Sequence, residues 1–274
     1  MNSADRESIH KEESGLAYEY IPAASFSKRS IRQLCEDYFN QEADQYDAHD
    51  SSALRRSMYL SAIDSYVLDQ AQRLASCRQI LSFGCGTGRR EESLATGLPH
   101  QVEITGVEIS ERMAKMARAR GLRVIRALGD PGTPDSNSVD LAIALYSFIH
   151  CPNRSSRLST LRAMRKSLKP GGLLIVDVFN LDDKFEFDSK IADGGIAIPP
   201  LRRGSAKGDT YYRRREGDAV SFMHYFTVGE MASILEESGL TIQGVTGVGH
   251  GYLPGRLGVP LDEGCLLFTC TKVR

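Results

Sequence analysis

Three glycines at alternate positions, Gly84, Gly86 and Gly88, close the short apolar run at residues 80–83, and a helical pattern starts at about Arg89. Glycine at a strand-to-helix turn lets the chain bend sharply and lets a ligand lie against the backbone. The helix that follows presents unpaired N–H groups in its first turn. Such a turn can hold a nucleotide phosphate or the carboxylate of an amino-acid-like ligand. Glu108 ends the next strand-like run, residues 102–107. An acid on that neighbouring strand is placed to accept hydrogen bonds from ribose hydroxyls. The turn and the acid together point to a nucleoside-bearing cofactor.

Dinucleotide sites prefer G-x-G-x-x-G, whose third glycine allows close helix packing. Here Arg89 stands three residues after Gly86, so the spacing is G-x-G-x-G instead. Phe83-Gly-Cys-Gly-Thr-Gly88 resembles the first motif of the class I S-adenosylmethionine-dependent methyltransferases. Gly106-Val-Glu-Ile-Ser-Glu-Arg-Met113 resembles their second. The resemblance implies S-adenosylmethionine as cofactor, with Gly84, Cys85, Gly86 and Gly88 along it, Glu108 on its ribose and Ile109 beside Glu108. One position departs from the pattern. The family usually carries an acid two residues before the first glycine, where it helps hold the cofactor's methionine end, and this chain has Ser82. Anchoring there is expected to come from backbone groups or the N-terminal segment.

These residues need a scaffold. Residues 30–47 read as a helix with Ser30 as N-cap and with Ile31, Leu34 and Tyr38 on one face. Residues 36–47 resemble a segment that covers the cofactor in many small-molecule methyltransferases, and Tyr38 and Tyr46 are the positions carried over. A second helix is expected at about 53–76. Strands and helices then alternate: helix 88–97, strand 102–107, helix 110–120 and strand 122–126. After that strand the family places an acid on the adenine amino group, and Asp130 stands there, although Asp-Pro-Gly also suits a plain turn. Residues 137–146 form an almost wholly apolar strand, as expected when both faces are covered. Ligands of open α/β sheets bind at the carboxyl ends of the strands, so Tyr146 and Ser147 should border the cofactor. His150 and Pro152 match the family's stretch after this strand. His150 is a candidate base or a histidine capping the next helix. Leu168-Lys-Pro-Gly-Gly-Leu-Leu-Ile matches the family's turn into strand five.

Residues 180–226 interrupt the alternation and are too long for a plain connector. Two β-prone runs around Gly217-Asp218 suggest a hairpin. As an insertion over the active-site face it would choose the substrate, with His224 and Tyr225 as catalytic candidates and Tyr211 and Arg213 beside them. Tyr18 and Tyr20, in the aromatic stretch 16–22, belong to a packing strap or to the same lid. Thr227 caps a helix that Gly239 ends, with Glu230 completing a capping box. Strands at 241–248 and 265–272 finish the sheet around a glycine-rich loop holding His250 and Tyr252.

The chain has 274 residues and a formal net charge of −1, which offers no general field for nucleic acid or an anionic membrane. Its six cysteines form no CxxC pair and show no zinc-ligand spacing, so no metal is expected. The N-terminus lacks a signal-peptide core, and a cytoplasmic protein is expected. The fold class that follows is α/β: a Rossmann-like, seven-stranded, mostly parallel sheet with one antiparallel edge strand and helices on both faces. Residues 1–76 are expected to form an N-terminal strap and lid helices. Residues 77–274 would form the cofactor-binding core, with the lid insertion at 180–226. The resemblance implies methylation of a small molecule on O, N or C. Two alternatives are methylation of RNA such as tRNA, suggested by Arg202, Arg203, Lys207 and Arg213 to Arg215, and a non-catalytic S-adenosylmethionine-binding protein, suggested by Ser82. The oligomeric state is not legible.

Overall fold

The computed structural model describes residues 18–20, 30–52, 54–74, 77–127, 134–184, 208–214, 218–251 and 253–272. Strand β1 is Tyr18–Tyr20, followed by helices α1 (Ile31–Glu42), α2 (Tyr46–Ser52) and α3 (Leu54–Arg73). The alternating core is β2 (Gln79–Phe83), α4 (Arg89–Gly97), β3 (Glu103–Glu108), α5 (Glu111–Ala119), β4 (Arg123–Arg126), β5 (Val139–Ala144), α6 (Arg154–Ser167) and β6 (Leu168–Val178). Then come β7 (Asp209–Arg214), β8 (Val220–His224), α7 (Val228–Glu237), β9 (Thr241–Val248), β10 (Leu257–Val259) and β11 (Cys265–Thr271).

The main sheet has the order β10-β9-β11-β6-β5-β2-β3-β4. Strands β4, β3, β2, β5 and β6 run parallel, and β11 runs against both β6 and β9. The mostly parallel sheet with an antiparallel edge region is as expected, with two differences. There are eight strands, because the short β10 adds to β9 out of the glycine-rich loop. The reversed strand β11 also lies two places inside the edge, between β6 and β9. The chain turns just before β11 starts, with Glu263 N–H donating to Pro260 O at 2.9 Å.

Every residue of β5 is buried, which is what an apolar strand covered on both faces requires. Leu81, Ala142 and Val176 pack towards α6 and α7. Ile80, Leu141, Ile143 and Ile175 pack on the other face with α3 and α4. Asp140 is the polar exception in β5. Its Oδ2 accepts the backbone N–H groups of Arg78 and Gln79 at 2.9 Å, and its Oδ1 accepts Lys169 Nζ at 2.6 Å. Burial pushes its carboxyl up, but the Lys169 bond and the two N–H donors outweigh this and hold it below the ordinary aspartate range. One carboxylate thus ties together the starts of β2, β5 and β6, fixing the register on which the far ends of these strands depend.

The helix signals act locally as the residues dictate. Ser30, Ser110, Asn153 and Thr227 each accept an N–H from the first turn of the helix they cap. The 180–226 insertion supplies β7 and β8, an antiparallel pair, and β1 joins as a third strand with Tyr20 opposite Tyr212. Helix α1 packs on β8, where Ser221 Oγ lies 3.7 Å from Cys35 Sγ. All six cysteines are free and buried. No described helix is long and apolar enough to cross a membrane, and no group of His, Cys, Asp and Glu among the described residues could hold a metal ion.

Candidate active site

The turn after β2 is built from left-handed residues. Gly84, Gly86 and Gly88 have φ of +71°, +55° and +81°. Gly84 and Cys85 donate to Val107 O at 2.7 and 3.2 Å, which fixes the turn to the end of β3. Two of the glycines are demanded by close packing. A Cβ on Gly84 would lie 2.3 Å from Ser147 Cβ, and one on Gly88 would lie 3.0 Å from Ala117 Cα. Gly86 is different: its nearest such neighbour is Met113 Sδ at 3.9 Å, so its Cα faces open space. That is where a ligand can approach the backbone.

Glu108 ends β3 beneath this turn. Its Oε2 accepts Gly86 N–H at 2.9 Å and its Oε1 accepts Ser110 N–H at 2.7 Å. Burial drives its carboxyl up, and these backbone donors oppose the shift. The acid therefore joins the two motifs to one another, and Ile109 follows it half-buried. Ser110 also turns outward: its hydroxyl donates to Asn40 Oδ1 on α1 at 2.8 Å.

Ser82, in the position that departs from the family pattern, is buried and donates its hydroxyl to Glu91 Oε1 at 2.6 Å. Glu91 lies in the first turn of α4 and is 1% exposed. Arg90, beside it, donates through Nε to Asp64 Oδ1 on α3 at 2.6 Å. A second buried acid, Asp177 of β6, accepts Tyr59 Oη at 2.5 Å and Tyr146 N–H at 2.6 Å. That last bond holds Tyr146 at φ +56°, a left-handed conformation unusual for a bulky residue. Ser147, next in the chain, donates to Phe83 O at 2.7 Å and closes the gap between β5 and the glycine turn.

Helices α1 and α2 lie across this assembly and are held by charge. Asp47 Oδ1 accepts Thr87 Oγ1 at 2.6 Å, and its Oδ2 accepts Arg120 at 2.8 Å. Arg126 bonds Glu36 at 2.9 Å, and Arg112 pairs with Asp44. Between α2, α3 and the turn lies a cleft of about 360 Å³, bordered by Tyr46, Asp64, Gly86, Thr87, Arg90 and Tyr146.

An aromatic cluster adjoins the cleft through Tyr46 and Tyr146. The Arg56 guanidinium sits 4.8 Å from the Tyr146 ring centre and 5.6 Å from that of Tyr46. Phe39 meets Tyr46 at 6.4 Å, Tyr38 at 5.2 Å and the His150 ring at 5.0 Å. Tyr38 itself is buried against Tyr212. His150 Nδ1 donates to Phe222 O at 2.5 Å, which leaves Nε2 as its acceptor nitrogen. Burial first, and then the charge of Arg56, lowers its pKa to about 4, against the Phe222 bond, so the ring is neutral near pH 7.

His224 has a structural position instead. It is 1% exposed, with Asp209 Oδ1 2.6 Å from Nδ1 and the Glu230 carboxylate 3.1 Å from Nε2. Arg157 sits 3.6 Å from Asp209 and 3.4 Å from Glu230, and its guanidinium lies over Phe226. Both ring nitrogens are committed, so His224 has none to offer a substrate proton. The ring ties the end of β8 to α7. Tyr225 is buried and packs on Phe179, whose ring also meets Tyr146 at 5.3 Å. Asp130, Tyr252, most of residues 185–217 and the side chains of Tyr18 and Tyr20 lie outside the described residues.

The structure thus gathers Gly84, Cys85, Gly86, Gly88, Glu108, Tyr46, Tyr146 and Ser147 around one turn, with His150 behind Phe39, and leaves His224 apart. It adds Asp47, Glu91 and Asp177, which the sequence reading missed. Glu91 carried a signal: an acid three residues into a helix after a glycine turn is well placed on the helix dipole. Nothing in the sequence pairs it with Ser82.

Three comparisons bear on this arrangement. Residues 80–172 match the model of a family described as "Methyltransferase domain". A ubiquinone biosynthesis O-methyltransferase of Bordetella avium is 26% identical over 69% of this chain and 74% of its own length. An O-methyltransferase of Pyrenophora dematioidea is 33% identical, over 39% of this chain and 41% of its own length. Among solved structures, the CcbJ methyltransferase of Streptomyces caelestis superposes with a TM-score of 0.59 at 17% identity, covering 88% of this chain and 99% of that one, a likeness of fold.

Proposed function

We propose that the chain is a class I S-adenosylmethionine-dependent methyltransferase that methylates a hydroxyl group of a small, ring-bearing molecule. The bound cofactor supplies a methyl group on a positively charged sulfur, which an oxygen nucleophile can displace. The residues present fit it: Gly86 faces open space, Glu108 stands at the strand end beside it, and Arg90 and Tyr146 border the same cleft.

The observation that carries the proposal is His150. A hydroxyl must lose its proton as its oxygen attacks, and a neutral imidazole with an open acceptor nitrogen can take it. His150 meets that description: Nδ1 is held as the donor, Nε2 is the acceptor, and burial keeps the ring neutral. Its ring meets Phe39, which in turn meets Tyr46, an aromatic surface suited to a flat apolar body. The chain's other task is alignment and exclusion of water, for which α1 and α2 lie across the turn. Both relatives described above are O-methyltransferases, which agrees with an oxygen acceptor.

The test supplies methyl-labelled S-adenosylmethionine with a panel of catechols and hydroxybenzoates, aromatic amines and tRNA. The expected product is a methyl ether. His150→Gln is expected to lower that turnover about 100-fold, within the usual span for a lost general base, while affinity for S-adenosylhomocysteine stays within twofold. Label in tRNA or on an amine, or full turnover by the variant, would overturn the reading.

A further inference from the structure

We infer that His224 is a positioning residue for His150, a role that rests on the reading of His150 as the base. From the end of β8 it holds His150 in the tautomer that leaves Nε2 open. His150 closes the single 3₁₀ turn Phe148–His150, whose few hydrogen bonds leave its orientation to its neighbours. The two nitrogens of a neutral imidazole have opposite roles, so the one held as donor fixes the other as acceptor. When Phe222 O moves away from Nδ1, the proton is free to shift to Nε2. There it blocks uptake of a proton from a hydroxyl.

Three contacts run from the His224 cluster to this turn. The first is β8 itself. The backbone oxygen of Phe222, two residues before His224, accepts His150 Nδ1–H at 2.5 Å. Strand β8 is buried along its whole length and ends on His224, whose nitrogens face Asp209 at 2.6 Å and Glu230 at 3.1 Å. The second contact is aromatic. The His224 ring meets Phe226 at 4.5 Å, and Phe226 stacks at 5.9 Å on Phe148, the first residue of the turn. Both phenylalanines are wholly buried, and a close-packed interior transmits displacement. The third contact is Arg157. It lies 3.6 Å from Asp209 and 3.4 Å from Glu230, and its Nε donates to Cys151 O, directly after His150, at 3.2 Å. The hairpin is also shaped to admit the His224 ring. Gly208 has φ +104°, and a Cβ there would lie 2.2 Å from Tyr225 O and 2.8 Å from His224 Cε1.

The test is nitrogen-15 NMR of histidine-labelled protein, which separates the two tautomers of a neutral ring, with His150→Gln assigning the His150 signals. Wild type is expected to carry the His150 proton on Nδ1, and a proton on Nε2 overturns the inference. His224→Gln keeps a polar side chain of similar reach but donates to only one of the two carboxylates. In that variant His150 is expected to become a mixture of tautomers. Its kcat with a hydroxyl acceptor is expected to fall about tenfold, as for a base slightly misplaced, with KM and S-adenosylhomocysteine affinity each within about twofold. A His224 that only stabilises the fold would lower the unfolding midpoint and leave the His150 tautomer as in wild type, and that result overturns the inference. A changed tautomer with unchanged kcat upholds the inference and counts against His150 as the base. Should His224→Gln not fold, Glu230→Gln removes the charge from one side of the ring alone. A mixed His150 tautomer there supports the inference, and an unmoved one overturns it.

Discussion

Glu108 carries two jobs that the sequence offered as one. As an acid at a strand end it looked free to serve a ribose, so its loss would have touched binding alone. In the fold its two oxygens hold Gly86 N–H and Ser110 N–H, and the residue is 4% exposed. Glu108→Gln deprives one buried donor of its acceptor, at about 1–3 kcal/mol. Urea unfolding is expected to register that loss without ligand, together with at least tenfold weaker S-adenosylhomocysteine binding. Unchanged stability would mean that the carboxylate does not hold the turn. His150 lends itself to a pH test. Its pKa is lowered to about 4, so it remains a base throughout the neutral range. The acid limb of kcat/KM should fall near pH 4, with turnover flat between pH 6 and 8. A limb near 6.5, the ordinary histidine value, would assign the proton to another group.

At the scale of elements, α1 and α2 matter most because they lie across the site, with α1 packed on β8 and both tied down by charged contacts. Asp47 reaches Thr87 and Arg120, Asn40 reaches Ser110, and Glu36 and Asp44 reach Arg126 and Arg112. These contacts join α1, α2 and the turn between them to the glycine turn, to β4 and to α5 and its ends. Partly exposed pairs contribute little singly, so α1 and α2 are expected to open more readily than the sheet. Asp47→Ala is expected to raise amide exchange over residues 31–52 about tenfold while leaving β2 and β5 protected. Exchange that stays at the wild-type rate would show that the lid is held by other contacts. The helices were legible because capping and 3.6-residue periodicity are local signals. Their polar attachment was not, since it joins residues 40 to 90 positions apart.

Across the whole molecule, the legible part was the part repeated in local patterns. The β2 turn, Glu108, the apolar β5 and the Lys-Pro-Gly-Gly turn each announce themselves within ten residues, and their order implies the sheet. Three features needed the fold. The reversed β11 slips between β6 and β9 because the sheet pairs by space and not by sequence. The short β10 forms where a glycine-rich stretch gave only a loop signal. His224 read as a base by its type and position, yet its environment of Asp209, Glu230 and Arg157 makes it a tie between β8 and α7. Residue type fixes what a side chain can do, and burial and partners select among those uses. The account as a whole holds that the Gly84 turn and Glu108 form a seat for S-adenosylmethionine and not for a dinucleotide. Calorimetric titration of the wild-type chain with S-adenosylhomocysteine and with NAD tests this most directly. Binding of S-adenosylhomocysteine at micromolar or better affinity, with no heat from NAD, is the predicted result. Tight NAD binding with no response to S-adenosylhomocysteine would contradict it.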